Sequence, residues 1–415
     1  MDLRFVSLRC LSLLFAGALA VTATACAPDE EAEEPGGPAI TVTIAAPTAE
    51  PLAPVNTAGE PAIAYDSSRI HLVYSQSDAL GSYDIMYTSA LVGGPYAAPA
   101  VVLASPGADS RKPQCSLDSI ATLHMVWEEG NAPNREIFYA TRTSGGTITT
   151  SNLTNSAGID ESSPRIHVDS ANRIHVIWES GGAVLYRRKT VSFSTAITLP
   201  HVSGGSNAES PDVCTDVGDR VYAMWSEGVA GRRNLRIMRS DDNGANFGEV
   251  SVDGLALRGS VIMTEPRIKG GTDGDVYVAF NGQDASGDRA IFHAFTRNGG
   301  GSFSTPASLY TSTTGGIRQA GLGVFLRGDG NYTVMVAIND GTLLGGNVLL
   351  FCSRDNGEHF VGGPHELSKT ACQAGTCSVP VLALDVDDCI AAWMGQPAAG
   401  GVVRTFSQIN KYALP

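Results

Sequence analysis

Carboxylates and arginines recur along this chain at one kind of place, beside the prolines that open a series of short apolar runs. The set is Glu60, Arg111, Glu161, Arg165, Glu209, Glu265 and Arg267, joined by Tyr310 and Arg318 in a later stretch that lacks the proline. A guanidinium fits a planar carboxylate through two parallel hydrogen bonds. Polar groups of both signs converging on a concave centre are what a ligand site requires. The competing use is structural, since the same groups can hydrogen-bond between neighbouring units and hold them in register. Which use applies depends on the elements that position them.

Those elements repeat with a period of about fifty residues, a length that belongs to solenoids and propellers. An apolar run ending in a large residue recurs as Ile70-His-Leu-Val-Tyr74, Leu123-His-Met-Val-Trp127, Ile174-His-Val-Ile-Trp178, Val221-Tyr-Ala-Met-Trp225, Val276-Tyr-Val-Ala-Phe280, Thr333-Val-Met-Val-Ala337 and Cys389-Ile-Ala-Ala-Trp393. A shorter run precedes each and usually opens on proline: Pro61-Ala-Ile-Ala, Pro113-Gln-Cys-Ser, Pro164-Arg-Ile-His, Pro211-Asp-Val-Cys, Pro266-Arg-Ile-Lys, Gly321-Leu-Gly-Val and Pro380-Val-Leu-Ala. Proline at the first residue of a strand costs no ladder bond. A third strand follows, as at Ile85-Met-Tyr and Ile137-Phe-Tyr, and a weaker fourth starts near Tyr96, Ile148, Phe193, Phe247, Phe303 and Phe360. Turns such as Asp66-Ser-Ser-Arg and Asp169-Ser-Ala-Asn join the first two strands; none has the ligand spacing of a calcium loop. Four short antiparallel strands per repeat make a propeller blade. The expected fold is all-β, a propeller of seven blades with six as the alternative, in which Ala39-Ile-Thr-Val-Thr-Ile44 completes the last blade and removes an exposed edge.

Three octapeptides share the pattern Ser/Thr-x-Asp/Asn-x-Gly-x-x-Phe: Ser240, Asp242, Gly244, Phe247; Thr296, Asn298, Gly300, Phe303; and Ser353, Asp355, Gly357, Phe360. The pattern suits a tight hairpin in which the Asp or Asn caps backbone amides, Gly takes a positive φ and the aromatic returns to the interior. It resembles the Asp box of the sialidase-like, BNR-repeat propellers. That resemblance implies that the boxes are structural and lie on the face opposite the ligand site. Ligands are then expected on the other face, where the second-to-third loops and the crossings between blades lie and where the carboxylates and arginines named above stand. The middle loops at Glu128 to Arg135, Glu227 to Arg233 and Asn281 to Asp288 are expected to add polar groups there.

A sialidase of the resembling family needs three arginines on the substrate carboxylate, an Asp acid/base and a Tyr nucleophile activated by Glu. Its Arg-Ile-Pro motif is absent here, where the matching place reads Glu60-Pro-Ala-Ile, and most of those enzymes have six blades. Arg165, Arg267 and Arg318 are positioned to converge, and Tyr310 is the tyrosine in a later crossing, yet no Tyr–Glu pair with defined spacing is present. Trp127, Trp178, Trp225 and Trp393 share one register and are expected in the core rather than as sugar platforms. The sequence therefore supports a propeller that recognises a glycan or other surface polymer, with an exo-α-sialidase-type glycoside hydrolase of divergent site as the alternative and a protein-interaction scaffold as the second alternative.

Residues 1–25 read as an export signal, with Arg4 and Arg9 before an apolar run too short to span a bilayer. Ala23-Thr-Ala-Cys26 resembles a bacterial lipobox, which implies lipidation of Cys26 and a place in the cell envelope, with plain secretion as the alternative. Residues 26–39 form an acidic tether without a large apolar residue, and residues 40–415 form the propeller. A net charge of −14 argues against nucleic acid. Cys372 and Cys377 are the best disulfide pair, Cys352 with Cys389 is a second, and Cys115 and Cys214 are expected as buried thiols; none has zinc-finger spacing. No metal or cofactor is expected, and the molecule is expected to be a monomer.

Overall fold

Short apolar runs separated by Asp, Gly and Asn turns satisfy their backbone groups as antiparallel hairpins, and the computed structural model is built of them. It describes residues 41–44, 48–49, 58–78, 80–92, 94–105, 107–156, 158–200, 207–229, 232–252, 255, 262–283, 286–312, 316–342, 345–368, 378–384, 388–395 and 404–413. Cys26, Cys372 and Cys377 lie outside the described residues. Among those described there is no α-helix.

Strands β1 (Thr41–Ile44) and β2 (Thr48–Ala49) come first. The next three sheets are β3 (Ala58–Tyr65), β4 (Arg69–Ser77), β5 (Tyr83–Leu91), β6 (Ala100–Leu103); β7 (Ser110–Leu117), β8 (Leu123–Glu129), β9 (Glu136–Arg142), β10 (Ile148–Asn152); and β11 (Glu161–Val168), β12 (Ile174–Ser180), β13 (Ala183–Lys189), β14 (Ile197–Thr198). Three more follow: β15 (Asn207–Thr215), β16 (Val221–Val229), β17 (Arg232–Ser240), β18 (Gly248–Val250); β19 (Thr264–Gly270), β20 (Val276–Gln283), β21 (Arg289–Thr296), β22 (Ala307–Thr311); and β23 (Ile317–Leu326), β24 (Tyr332–Thr342), β25 (Gly345–Ser353), β26 (His365–Glu366). These are six four-stranded antiparallel propeller blades, the number named as the alternative. The remaining sheet is five-stranded. It holds β27 (Ser378–Leu384), β28 (Asp388–Gly395) and β29 (Arg404–Ala413), with β1 paired to β29 from Thr41↔Ala413 to Ile44↔Asn410 and β2 also on β29.

The first strands of successive sheets pack on one another, β3 on β7, β7 on β11 and onward to β23 on β27, and β27 also touches β3. The second strand of each sheet is its most buried element, and β8 is buried at every position. A hydrophobic cluster fills the space between successive sheets. One joins Ile63, Leu72 and Tyr74 to Ile390 and Ala392 of the five-stranded sheet, and another holds both Cys352 and Cys389, with no disulfide joining the two. Cys214 is buried as expected, whereas Cys115 is half-buried. The aromatics assigned to the starts of fourth strands instead mostly stand before them: Phe247 precedes β18 and Phe303 precedes β22, each turned inward to pack.

The four tryptophans are core residues at 0–1% exposure. An indole N–H so deeply buried must find an acceptor. Trp127 donates to Glu129 Oε2 at 2.7 Å, Trp178 to Glu161 Oε2 at 2.7 Å and Trp225 to Glu227 Oε2 at 3.0 Å. Glu128, Glu129 and Glu227 are therefore buried strand residues rather than loop residues.

The three octapeptides adopt one geometry. Ser240 Oγ, Thr296 Oγ1 and Ser353 Oγ each lie 2.7 Å from the side-chain oxygen of the residue two along, and each accepts the N–H of the glycine four along. The glycines have φ of 82°, 89° and 79°. They also press on the preceding blade, where a Cβ at Gly244 would overlap the Tyr186 hydroxyl and one at Gly357 would crowd the His293 ring. Phe247 stacks edge-on against Tyr186 at 4.9 Å. The octapeptide thus holds blade to blade as well as closing its own turn.

A further polar device repeats in the first three blades. An Asp in the first turn faces a His on the second strand, which bonds a Tyr on the third: Asp66–His71–Tyr87 at 3.3 and 2.9 Å, Asp118–His124–Tyr139 at 3.3 and 2.7 Å, and Asp169–His175–Tyr186 at 3.0 and 2.6 Å. Three copies among buried apolar groups make this a means of satisfying polar atoms. The spacing Asp, then His five or six residues on, was its signal in the sequence.

Two outcomes are expected. Gly244→Ala combines a strained left-handed residue with an overlap at Tyr186 and should lower unfolding free energy by about 3 kcal/mol in urea titrations. Burial holds His71 and His124 below the ordinary histidine range and takes His293 to about 4 and His167 to about 3. The unfolded chain takes up these protons near pH 6.5 while the folded chain does not, so stability should fall as pH drops from about 6.5 towards 4. A Tm constant across that interval would show that the imidazoles are not held neutral.

Candidate functional site

The site begins with a backbone irregularity. Along β7, β11, β15 and β19 the pairing with the second strand slips at the proline, between Arg111 and Gln114, Ser162 and Arg165, Glu209 and Asp212, and Thr264 and Arg267. The residues before these prolines, Lys112, Ser163, Ser210 and Glu265, have φ of 49°, 53°, 55° and 51°. A side chain is strained there, and a residue before proline normally avoids the helical regions. Carboxylates from the preceding sheet hold two of them: the Ser163 N–H donates to Glu128 Oε1 at 2.7 Å and the Ser210 N–H to Glu179 Oε1 at 2.6 Å.

A bulge re-aims the side chains that follow it. The residues directly after the prolines, Ala62, Gln114, Arg165, Asp212, Arg267 and Val381, line a single cavity of about 330 Å³ together with neighbours that include Glu60, Lys112, Glu265 and Lys269. It lies towards the starts of the first strands, at the crossings between sheets. The octapeptides lie at the opposite end of the strands, between third and fourth.

The carboxylates of the cavity already have partners. Asp212 Oδ2 accepts the Ile268 N–H at 3.0 Å, Glu265 Oε2 accepts from Asn281 Nδ2 at 2.8 Å, and Glu60 Oε2 accepts from Ser75 Oγ at 3.1 Å. Lys112 Nζ is drawn to Glu128 Oε1 at 2.9 Å. Arg267 donates from Nη1 to the Pro266 carbonyl at 2.8 Å. Among the described residues the Arg165 guanidinium has no hydrogen-bond or ion-pair partner. Burial, with the charge of Arg267 second, lowers its pKa to about 9 against the opposing pull of Asp212, Glu265 and Glu179. Arg165 is half-buried, so its cation is partly withdrawn from water without a partner, and an anion in the cavity would supply one. Two arginines and Lys269 could meet one acidic group there.

Of the residues expected at the site, Glu60, Arg165, Glu265 and Arg267 line the cavity. Arg111 does not line it: its guanidinium lies 3.3 Å from the centre of the Tyr83 ring and 3.7 Å from Asp109. Glu161 is used by Trp178 and by Ser156 Oγ at 2.7 Å, and Glu209 is paired with Arg233. Tyr310 is not in a crossing. It belongs to β22, an outer strand, and its hydroxyl donates to Asp340 Oδ2 at 2.7 Å. Arg318 lies at the slip in β23, with its side chain outside the described residues. Gln114, Asp212 and Lys269 were missed, although the position after each proline marks the first two directly.

Replacing the unpartnered cation by an apolar side chain of similar length should stabilise the fold while removing the site's charge. Arg165→Met is expected to raise unfolding free energy by about 1 kcal/mol in urea titrations. A loss of stability would mean that the guanidinium is satisfied in the free protein.

No family model matches the chain, and no curated protein matches it. Solved structures that resemble it include a sialidase. A Dyadobacter fermentans protein of unknown function is 12% identical over 90% of this chain and 99% of that one, with a TM-score of 0.55. A Hadza microbial sialidase is 13% identical over 82% of this chain and 76% of that one, with a TM-score of 0.50. At that identity the likeness establishes the fold, an all-β propeller of the kind sialidases have.

Proposed function

We propose that the protein recognises a glycan or other surface polymer through the cavity on the face away from the octapeptides, and that the group recognised there is anionic. The observation that carries this is the Arg165 guanidinium, unpartnered beside Arg267 in a cavity whose carboxylates are already engaged. Charge-assisted bonds from arginine to a carboxylate or similar oxyanion are the strongest available to such a site. The sialidase-like fold favours a sugar as the bearer of that group. With Tyr310 bonded to Asp340 in an outer strand, the tyrosine singled out for a sialidase reaction is away from the cavity, so recognition without turnover is the leading reading.

The propeller is taken to be closed through the five-stranded sheet, with β1 as its N-terminal strand. The β1–β29 pairing and the cluster between that sheet and the first blade support this. Export, lipidation at Cys26 and a tether of residues 26–39 would place the cavity outside the cell on a surface-held molecule.

The purified protein should retain sialylated or uronic-acid glycans on an array in a salt-dependent manner and leave neutral glycans unbound. Arg165→Ala or Arg267→Ala should weaken retention by about tenfold or more. Retention of neutral glycans alone would remove the proposal, and release of a fluorophore from a sialoside would move the protein to the hydrolases. Incorporation of a palmitate analogue that Cys26→Ala abolishes is the expected result for the anchor; equal labelling of both forms would exclude it.

A further inference from the structure

We infer that Glu128 is the positioning residue for the cavity, acting through the backbone of Ser163 and through Lys112 to place the cationic group that meets the ligand. The inference rests on the proposed use of the cavity for recognition.

Glu128 is the next-to-last residue of the second strand of one blade, directly after Trp127, and its side chain is 3% exposed. Its Oε1 accepts from the Ser163 N–H of the next blade at 2.7 Å and from Lys112 Nζ at 2.9 Å, and its Oε2 from Arg135 Nη1 at 2.9 Å. Arg135 is itself anchored on Asp160 by Nε at 2.9 Å and Nη2 at 2.6 Å. A buried carboxylate with this many donors is fixed in place.

Two consequences reach the cavity. Ser163 sits at φ 53° immediately before Pro164, a conformation that persists only when its surroundings hold it. The amide bond to Glu128 supplies that hold. The slip at Ser163 and Pro164 decides which way Arg165 points, because a one-residue change of register turns a strand side chain to the other face. Glu128 also neutralises Lys112, itself a lining residue of the cavity, so that Arg165, Arg267 and Lys269 are the lining cations without a carboxylate ion pair among the described residues. Glu179 repeats the arrangement one blade on, bonding the Ser210 N–H at 2.6 Å before Pro211 and Asp212.

The test uses the Nε–Hε NMR signal of Arg165, assigned with Arg165→Lys, and a titration with sodium sulfate at constant ionic strength as the anion probe. In a Lys112→Met background, in which no freed ammonium can compensate, Glu128→Ala should shift the signal and weaken sulfate binding by about tenfold or more. Glu128→Gln keeps an acceptor for the Ser163 amide and should remain within about threefold of the natural protein. Ser163→Gly should restore both signal and affinity in the Glu128→Ala background, because glycine adopts a positive φ without help. A merely structural role would lower Tm and leave sulfate affinity at low temperature unchanged. An unmoved Arg165 signal in Glu128→Ala, or no restoration by Ser163→Gly in a folded combined variant, would overturn the inference. Absence of sulfate binding by the natural protein would remove the recognition reading, and the ligand-free Arg165 signals would still decide whether Glu128 places that side chain.

Discussion

In this fold the second strand of every blade has no free face, because another sheet covers each side of it. Side chains on a strand alternate between faces, so at these positions both sets must be apolar. That constraint accounts for the continuous runs such as Leu123-His-Met-Val-Trp127 and for the burial of all four tryptophans. It also forces a solution for each indole N–H, and in three blades a glutamate supplies it. Several carboxylates are committed to the core before any ligand is considered.

The first strands answer to a different constraint. Residues near their starts line the cavity rather than a closed hydrophobic cluster. The slip before each first-strand pairing turns the residue after proline inward, so one register position supplies the lining from blade to blade. That position carries Ala62 and Val381 in the first and last sheets and Arg165, Asp212 and Arg267 in sheets between them. The strain at Lys112, Ser163, Ser210 and Glu265 is thus tied to the cavity, as backbone strain often is at functional sites. An unpartnered arginine costs stability, and sites that bind charged groups commonly carry such a cost.

At the other end of the strands polar groups close on themselves. The octapeptides satisfy their amides within eight residues, and the Asp–His–Tyr sets satisfy theirs within one sheet. The sets resemble a catalytic relay in composition, yet three copies, each buried against Tyr or Asp partners, leave no single one poised over a substrate. Arg165, by contrast, lines the cavity towards the starts of the first strands.

Much of this was legible from residues alone. Hydrophobic runs with proline before and Asp or Gly between fixed strand identity and order, because burial and turn formation are local requirements. The octapeptide announced its own hydrogen bonds, and the shared register of the tryptophans announced the core. Which charges remained available was not legible. Glu161 is consumed by Trp178, seventeen residues away along the chain, and Tyr310 by Asp340, thirty residues away. The loop assigned to Glu128 was strand, and its carboxylate crosses to Ser163. The sequence by itself determined the blades, since each strand's pattern is read against its own neighbours. Only the tertiary structure decided the site, since a charge is free or spent according to what stands across a sheet boundary, and the slip that aims Arg165 inward exists only once two strands are paired.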